Sequence, residues 1–67
     1  MRTIEIWSQR EGLGILFTED LPGVAVRDDS LIDLIAMLTR LYGKPDTRQV
    51  FTQGYIMTVK KWSYEGL

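Results

Sequence analysis

Between Arg27 and Leu31 the spacing of apolar residues changes, and no single secondary structure can follow both rhythms. Before Asp28-Asp29-Ser30 apolar and polar side chains alternate. After it, apolar residues recur every three to four positions. The chain must therefore lay strands first and a helix second, which points to an α+β fold. Thr3 to Ser8 puts Ile4 and Ile6 on one face and Thr3, Glu5 and Trp7 on the other. Arg10-Glu11-Gly12 suits a hairpin connection, and Leu13 to Thr18 a second strand with Leu13, Ile15 and Phe17 on one side. Gly14 inside it signals a bulge or a close backbone approach. Leu21-Pro22-Gly23-Val24 meets the residue demands of a type II turn, with Pro where φ is near −65° and Gly where φ is positive. Val24-Ala25-Val26 then reads as a short third strand that completes an antiparallel meander.

The helical rhythm predicts a helix over 31–42, with Leu31, Leu34, Ile35, Leu38, Leu41 and Tyr42 on one face. Ser30 is the expected N-cap, Asp33 a short capping-box partner, and Asp28, Asp29 and Asp33 complement the helix dipole. Gly43 suits the C′ position and Pro45 prevents continuation. Ile32 and Met37 widen the apolar face on its two flanks, by partial exposure or by contact with a partner.

Lys44 to Gln49 reads as loop, Tyr55 to Trp62 as the last strand, and Ser63 to Leu67 as a tail. Val50-Phe51-Thr52 can pair with the last strand across Gln53-Gly54. The expected architecture is one antiparallel sheet packed by one helix in βββαβ order. Its expected core is Ile4, Ile6, Ile15, Phe17, Val26, Leu34, Ile35, Leu38 and Leu41.

A chain of 67 residues forms one domain near the margin of independent stability, and small domains commonly add a staple. This one has no Cys and no His, which removes disulfides and the usual zinc ligand sets. Self-association is the remaining device, and a homodimer through Trp7, Ile32 and Met37 is expected. Apolar runs are too short for a membrane span, and no secretory signal follows Met1, so a cytoplasmic setting is expected.

Chemistry is sparse. Without His or Cys, Ser30 has no neighbour in sequence to activate it as a nucleophile. Glu19-Asp20 and Asp28-Asp29 are the carboxylate pairs, but adjacent strand residues point to opposite faces. Gly12-Leu13-Gly14 lacks the rest of a phosphate-binding motif. Trp7, Tyr55 and Trp62 beside Lys60 and Lys61 form a base-stacking platform only if they share a face, and packing between strands explains them better. No enzyme, cofactor or metal is expected. Charge is uneven: residues 11–33 carry Glu11, Glu19, Asp20, Asp28, Asp29 and Asp33 against Arg27 alone, while the basic residues collect later. A net charge of −1 makes direct nucleic-acid binding a weak expectation.

Asp20-Leu21-Pro22-Gly23, a five-residue segment from Val24 to Asp28, and Asp29-Ser30-Leu31 opening a helix together resemble the HicB family, the antitoxins that neutralise HicA toxins. The likeness covers residues 4–42, with 55–62 as a looser final strand. Ile32-Asp33-Leu34-Ile35 stands where the family usually has a run of glutamates. The resemblance implies a degenerate double-stranded-RNA-binding fold that occupies a toxin, here as a stand-alone domain without the DNA-binding domain of longer members. It implies a non-catalytic inhibitory protein whose partner is a basic nuclease or nuclease-complex subunit. Glu11, Glu19, Asp20, Asp28 and Asp29, all at connections between elements, are the expected partner-binding residues. Three other readings stand beside it: a phage or mobile-element inhibitor of a host defence system such as an anti-CRISPR, a small nucleic-acid-binding module, and an assembly subunit.

Overall fold

The computed structural model describes residues 1–66. Its elements are β1 (Arg2–Arg10), β2 (Leu13–Phe17), β3 (Val24–Arg27), α1 (Asp28–Tyr42), β4 (Asp46–Thr52) and β5 (Tyr55–Tyr64). The strands form one five-stranded sheet in the order β3-β2-β1-β5-β4, antiparallel throughout. Val50-Phe51-Thr52 does pair with the last strand across Gln53-Gly54, so the order is βββαββ and not the expected βββαβ. Chain direction explains the difference. After the meander and the helix, the next strand runs the same way as β1 and would have to lie parallel beside it. Placing that strand at the outer edge and folding back lets β5 meet β1 antiparallel.

The expected loop over 44–49 becomes most of β4 because an edge strand needs no apolar face. Its residues are exposed or only partly covered on both sides. Gln53 and Gly54 both have positive φ, 50° and 85°, the two-residue turn whose twist matches a hairpin. The expected tail is likewise strand up to Tyr64, whose ring stacks on Tyr42 with centroids 4.8 Å apart. Leu67, the last residue of that tail, lies outside the described residues.

The helix begins three residues earlier than its periodicity predicts. β3 pairs with β2 as far as Arg27 opposite Leu13, so the chain must leave the sheet at once. Asp28 turns it with φ 49°, and its N–H donates to the Gly12 carbonyl at 2.9 Å. Arg27, in extended conformation, stands at the N-cap, and its side chain makes no capping hydrogen bond. Ser30 therefore lies inside the first turn. Gly43 does end the helix, with φ 91° and its N–H donating to the Thr39 carbonyl. The Leu-Pro-Gly segment also differs from expectation. Gly23 takes φ 137° instead of the value near 80° of a type II turn. Thr18 organises the connection, its Oγ1 accepting from the Asp20 and Leu21 N–H groups.

The core lies between α1 and one sheet face: Ile4, Ile6, Leu31, Leu38 and Trp62 are buried, with Leu16, Val26, Leu34, Ile35 and Tyr64 packed around them. Ile15 and Phe17, expected inside, sit on the opposite face. The register sets Ile6 against Leu16, which turns Leu16 and Gly14 toward the helix and Ile15 and Phe17 away. There Phe17 meets Trp7 edge-on, and Val59 is buried opposite Trp7. Leu41, also expected inside, is 61% exposed, and in the same turn it is Tyr42 that meets the sheet, through its stack on Tyr64.

Gly14 is the point of closest approach. A Cβ there would stand 2.8 Å from both the Ile6 Cγ2 and the Leu31 Cδ1. Gly14→Ala should therefore destabilise the fold by about 1–3 kcal/mol in denaturant unfolding. A loss below about half a kcal/mol would mean that the helix can lift without penalty. The hairpin turn predicts the opposite sign: Gln53→Asn, at a left-handed position that Asn tolerates, should stabilise by up to about 1 kcal/mol. A destabilisation would show that the Gln53 side chain makes a contact worth more than its backbone strain.

Candidate functional site

Two of the sheet's features create a recess beside α1. The β1–β2 hairpin projects past the end of β3, and α1 starts beneath it, so Glu11-Gly12 and Asp28-Asp29 stand together at one end of the sheet. The gap between this corner and the helix-side face of β5 is a groove of about 730 Å³. Glu11, Asp28 and Asp29 form its acidic wall, Leu31, Ile32 and Ile35 its apolar side, and Thr58 and Lys60 the strand side, with Arg10 at the mouth. Gly12 is needed at the corner, since a Cβ there would come within 2.9 Å of the Asp28 Oδ1, at a φ of 76° that favours glycine.

The five expected partner-binding carboxylates are therefore not one set. Glu11, Asp28 and Asp29 converge on the groove. Glu19 and Asp20 lie at the other end of β2, where Glu19 pairs with Arg2 at 3.7 Å. The strand direction forces this split: a β-strand places the connections before and after it at opposite ends. The idea of all five at one end of the sheet is corrected accordingly.

The expected self-association residues are also divided. Trp7 is half-buried on the sheet face opposite the helix, its indole N–H donating to the Glu5 Oε1 at 2.9 Å. Ile32, 65% exposed, lines the groove, and Met37 is exposed elsewhere on the helix. Nor do the aromatic residues make one platform. Trp62 is 1% exposed beneath the helix, whereas Trp7 and Tyr55 occupy the other face of the sheet.

That other face carries a smaller hollow of about 190 Å³ among Trp7, Val50 and Val59, ringed by Glu5, Asp46, Arg48 and Lys61. Charges of opposite sign face one another across the strands, Glu5 to Lys61 and Lys61 to Asp46, so this rim attracts no single kind of ion. Among the described residues no group of three His, Cys, Asp or Glu side chains is placed to hold a metal ion. No helix among them is long and apolar enough to cross a membrane.

Sequence reading missed Leu31 and Ile35 as groove residues because it assigned the helical face wholly to the core. It gave the pairing across Gln53-Gly54 but not that Phe51 and Ile56, which face each other across β4 and β5, are exposed there. Their symmetric placement about Gln53-Gly54 was the available signal. No protein-family model matches the chain, and neither the curated proteins nor the solved structures hold a significant match to it.

Proposed function

We propose that this chain is a non-catalytic inhibitory binding protein, a HicB-like antitoxin domain that neutralises a nuclease-type toxin in the cytoplasm. We further propose that the groove at the start of α1 is its working surface. The observation that carries the proposal is the convergence of Glu11, Asp28 and Asp29, which outnumber Arg10 and Lys60 in the same lining, beside Leu31, Ile32 and Ile35. Asp28 and Asp29 also complement the helix dipole, but Glu11 belongs to a hairpin and has no such duty. A nuclease must hold a phosphate backbone, so its working surface is positive and is attracted to clustered carboxylates. The apolar side supplies contact area once the charges have brought the partner in, and the exposed Ile32 is the side chain placed to enter a partner's pocket. Inhibition of this kind needs a rigid surface and no reacting group.

The test compares the two ends of the sheet. The reaction to follow is cleavage of RNA by a purified HicA-type ribonuclease. Glu11→Lys with Asp29→Lys should slow association by about tenfold or more at low salt and weaken inhibition to match. Glu19→Lys with Asp20→Lys, at the far end, should leave both nearly unchanged. Equal effects from the two pairs would remove the groove from the mechanism. Cleavage that the intact, folded chain fails to inhibit at any excess would remove the antitoxin reading itself.

A further inference from the structure

Among the described residues β4 is the one long strand with an open edge. The other edge strand, β3, has only four residues, is preceded by Pro22-Gly23, and lies against α1. β4 has seven residues in continuous register with β5; Pro45 precedes it and Asp46 and Arg48 charge its first half, but Gln49 to Thr52 carries none of the usual protections of an edge. At its hairpin end Phe51 is 75% and Ile56 57% exposed, paired on the same face of the sheet as α1 but outside the area that the helix covers. We propose that β4 pairs with β4 of a second copy, antiparallel about a two-fold axis through Val50, to make a continuous ten-stranded sheet. This inference is independent of the inhibitory reading.

Geometry restricts the choice of register. In a two-residue hairpin the residues flanking the turn bond to each other, here Thr52 and Tyr55. The N–H and C=O groups of Thr47, Gln49 and Phe51 therefore point outward to the open edge. A two-fold axis perpendicular to the sheet keeps each face on its own side, so it must pass through a residue of β4. Centred on Arg48, it sets two like charges directly opposite each other, which is destabilising. Centred on Gln49, it places the two Arg48 side chains on a diagonal and the two Phe51 rings far apart. Centred on Thr47, it offers Asp46 to Arg48 of the other copy twice. Each chain already makes that pair internally at 3.1 Å, exposed ion pairs contribute little, and Phe51 stays in water.

Centred on Val50, the pairing joins Val50 to Val50, Gln49 to Phe51 and Arg48 to Thr52, with no like charges opposed. The two Phe51 rings become diagonal neighbours, within reach for aromatic side chains, and the two Ile56 side chains flank them. One apolar cluster then forms from four exposed residues. A standard interface takes about 800 Å² from each partner, about a sixth of the 5062 Å² that the chain exposes. A net charge of −1 puts little repulsion between copies. These features select a second copy over an unrelated strand, which would share the backbone bonds but not the matched side chains.

The absence of cysteine makes the register directly readable. Across a non-hydrogen-bonded antiparallel pair the Cα atoms lie about 4.5 Å apart, within disulfide range. Under mild oxidation Val50→Cys should therefore cross-link rapidly to a covalent dimer, while Thr47→Cys and Arg48→Cys should remain largely un-cross-linked. Sedimentation of the native chain at high micromolar concentration should give twice the 7.7 kDa chain mass, and Phe51→Lys should shift it to monomer. Phe51 is exposed, so that variant should keep its fold, which circular dichroism would verify. A native chain that sediments as a monomer overturns the proposal. Cross-linking at Cys-substituted position 47 or 48 in preference to 50 overturns the register.

Discussion

The seat of α1 on the sheet at Gly14 is the contact on which the remaining structure depends. Leu31 lies where a side chain of β2 would otherwise project, and Ile6 closes the same space from β1. This fixes how low the helix rides and therefore which residues it can cover. It also dictates the abrupt junction after β3. A helix held this close to the sheet, and starting directly after Arg27, leaves no length for a connecting loop. Asp28 accordingly turns in a left-handed conformation and bonds to the Gly12 carbonyl of the neighbouring hairpin.

A single helix of this length cannot cover five strands. Sheet strands lie about 4.8 Å apart and a helix with its side chains is about 10 Å across, so two to three strands are shielded. The core gathers over β1 and its neighbours and is anchored by Trp62 and Ile6, the two largest side chains that are fully enclosed. Trp62 is enclosed at some expense, since its indole N–H has no hydrogen-bond partner among the described residues, a deficit of about 1–3 kcal/mol. Its volume offsets that loss in a chain with so few other large buried groups. β4 remains beyond the helix's reach, and this is why its apolar hairpin end meets water.

The same geometry creates the groove. Where α1 begins, the β1–β2 hairpin and the face of β5 diverge from it, and three carboxylates from two connections meet at the opening. Groove and open edge thus arise from one cause, a helix narrower than its sheet, yet they differ in character. The groove offers charge and a modest apolar side. The edge offers unpaired backbone and a self-matching run of side chains.

Much of the local structure was legible in the sequence, because it depends on neighbours along the chain. The alternation of Ile4 and Ile6, the helical spacing from Leu31 to Leu38, and Gly43 as terminator each follow from a few adjacent residues. So did the presence of acidic residues at the connections. What only the tertiary structure decided was anything set by pairing between distant residues. Leu13 to Phe17 is apolar on both faces, so its orientation depended on register with β1, and a shift of one residue reverses every side chain. Polar Asp46 to Gln49 became strand through pairing with β5, an interaction that periodicity does not report. Ser30 lost the cap position because the end of β3 sets where the helix begins. The gathering of Glu11 with Asp28 and Asp29, away from Glu19 and Asp20, required knowing which connections share an end of the sheet. Local propensity acts over a few residues, whereas register and strand direction are properties of the whole sheet.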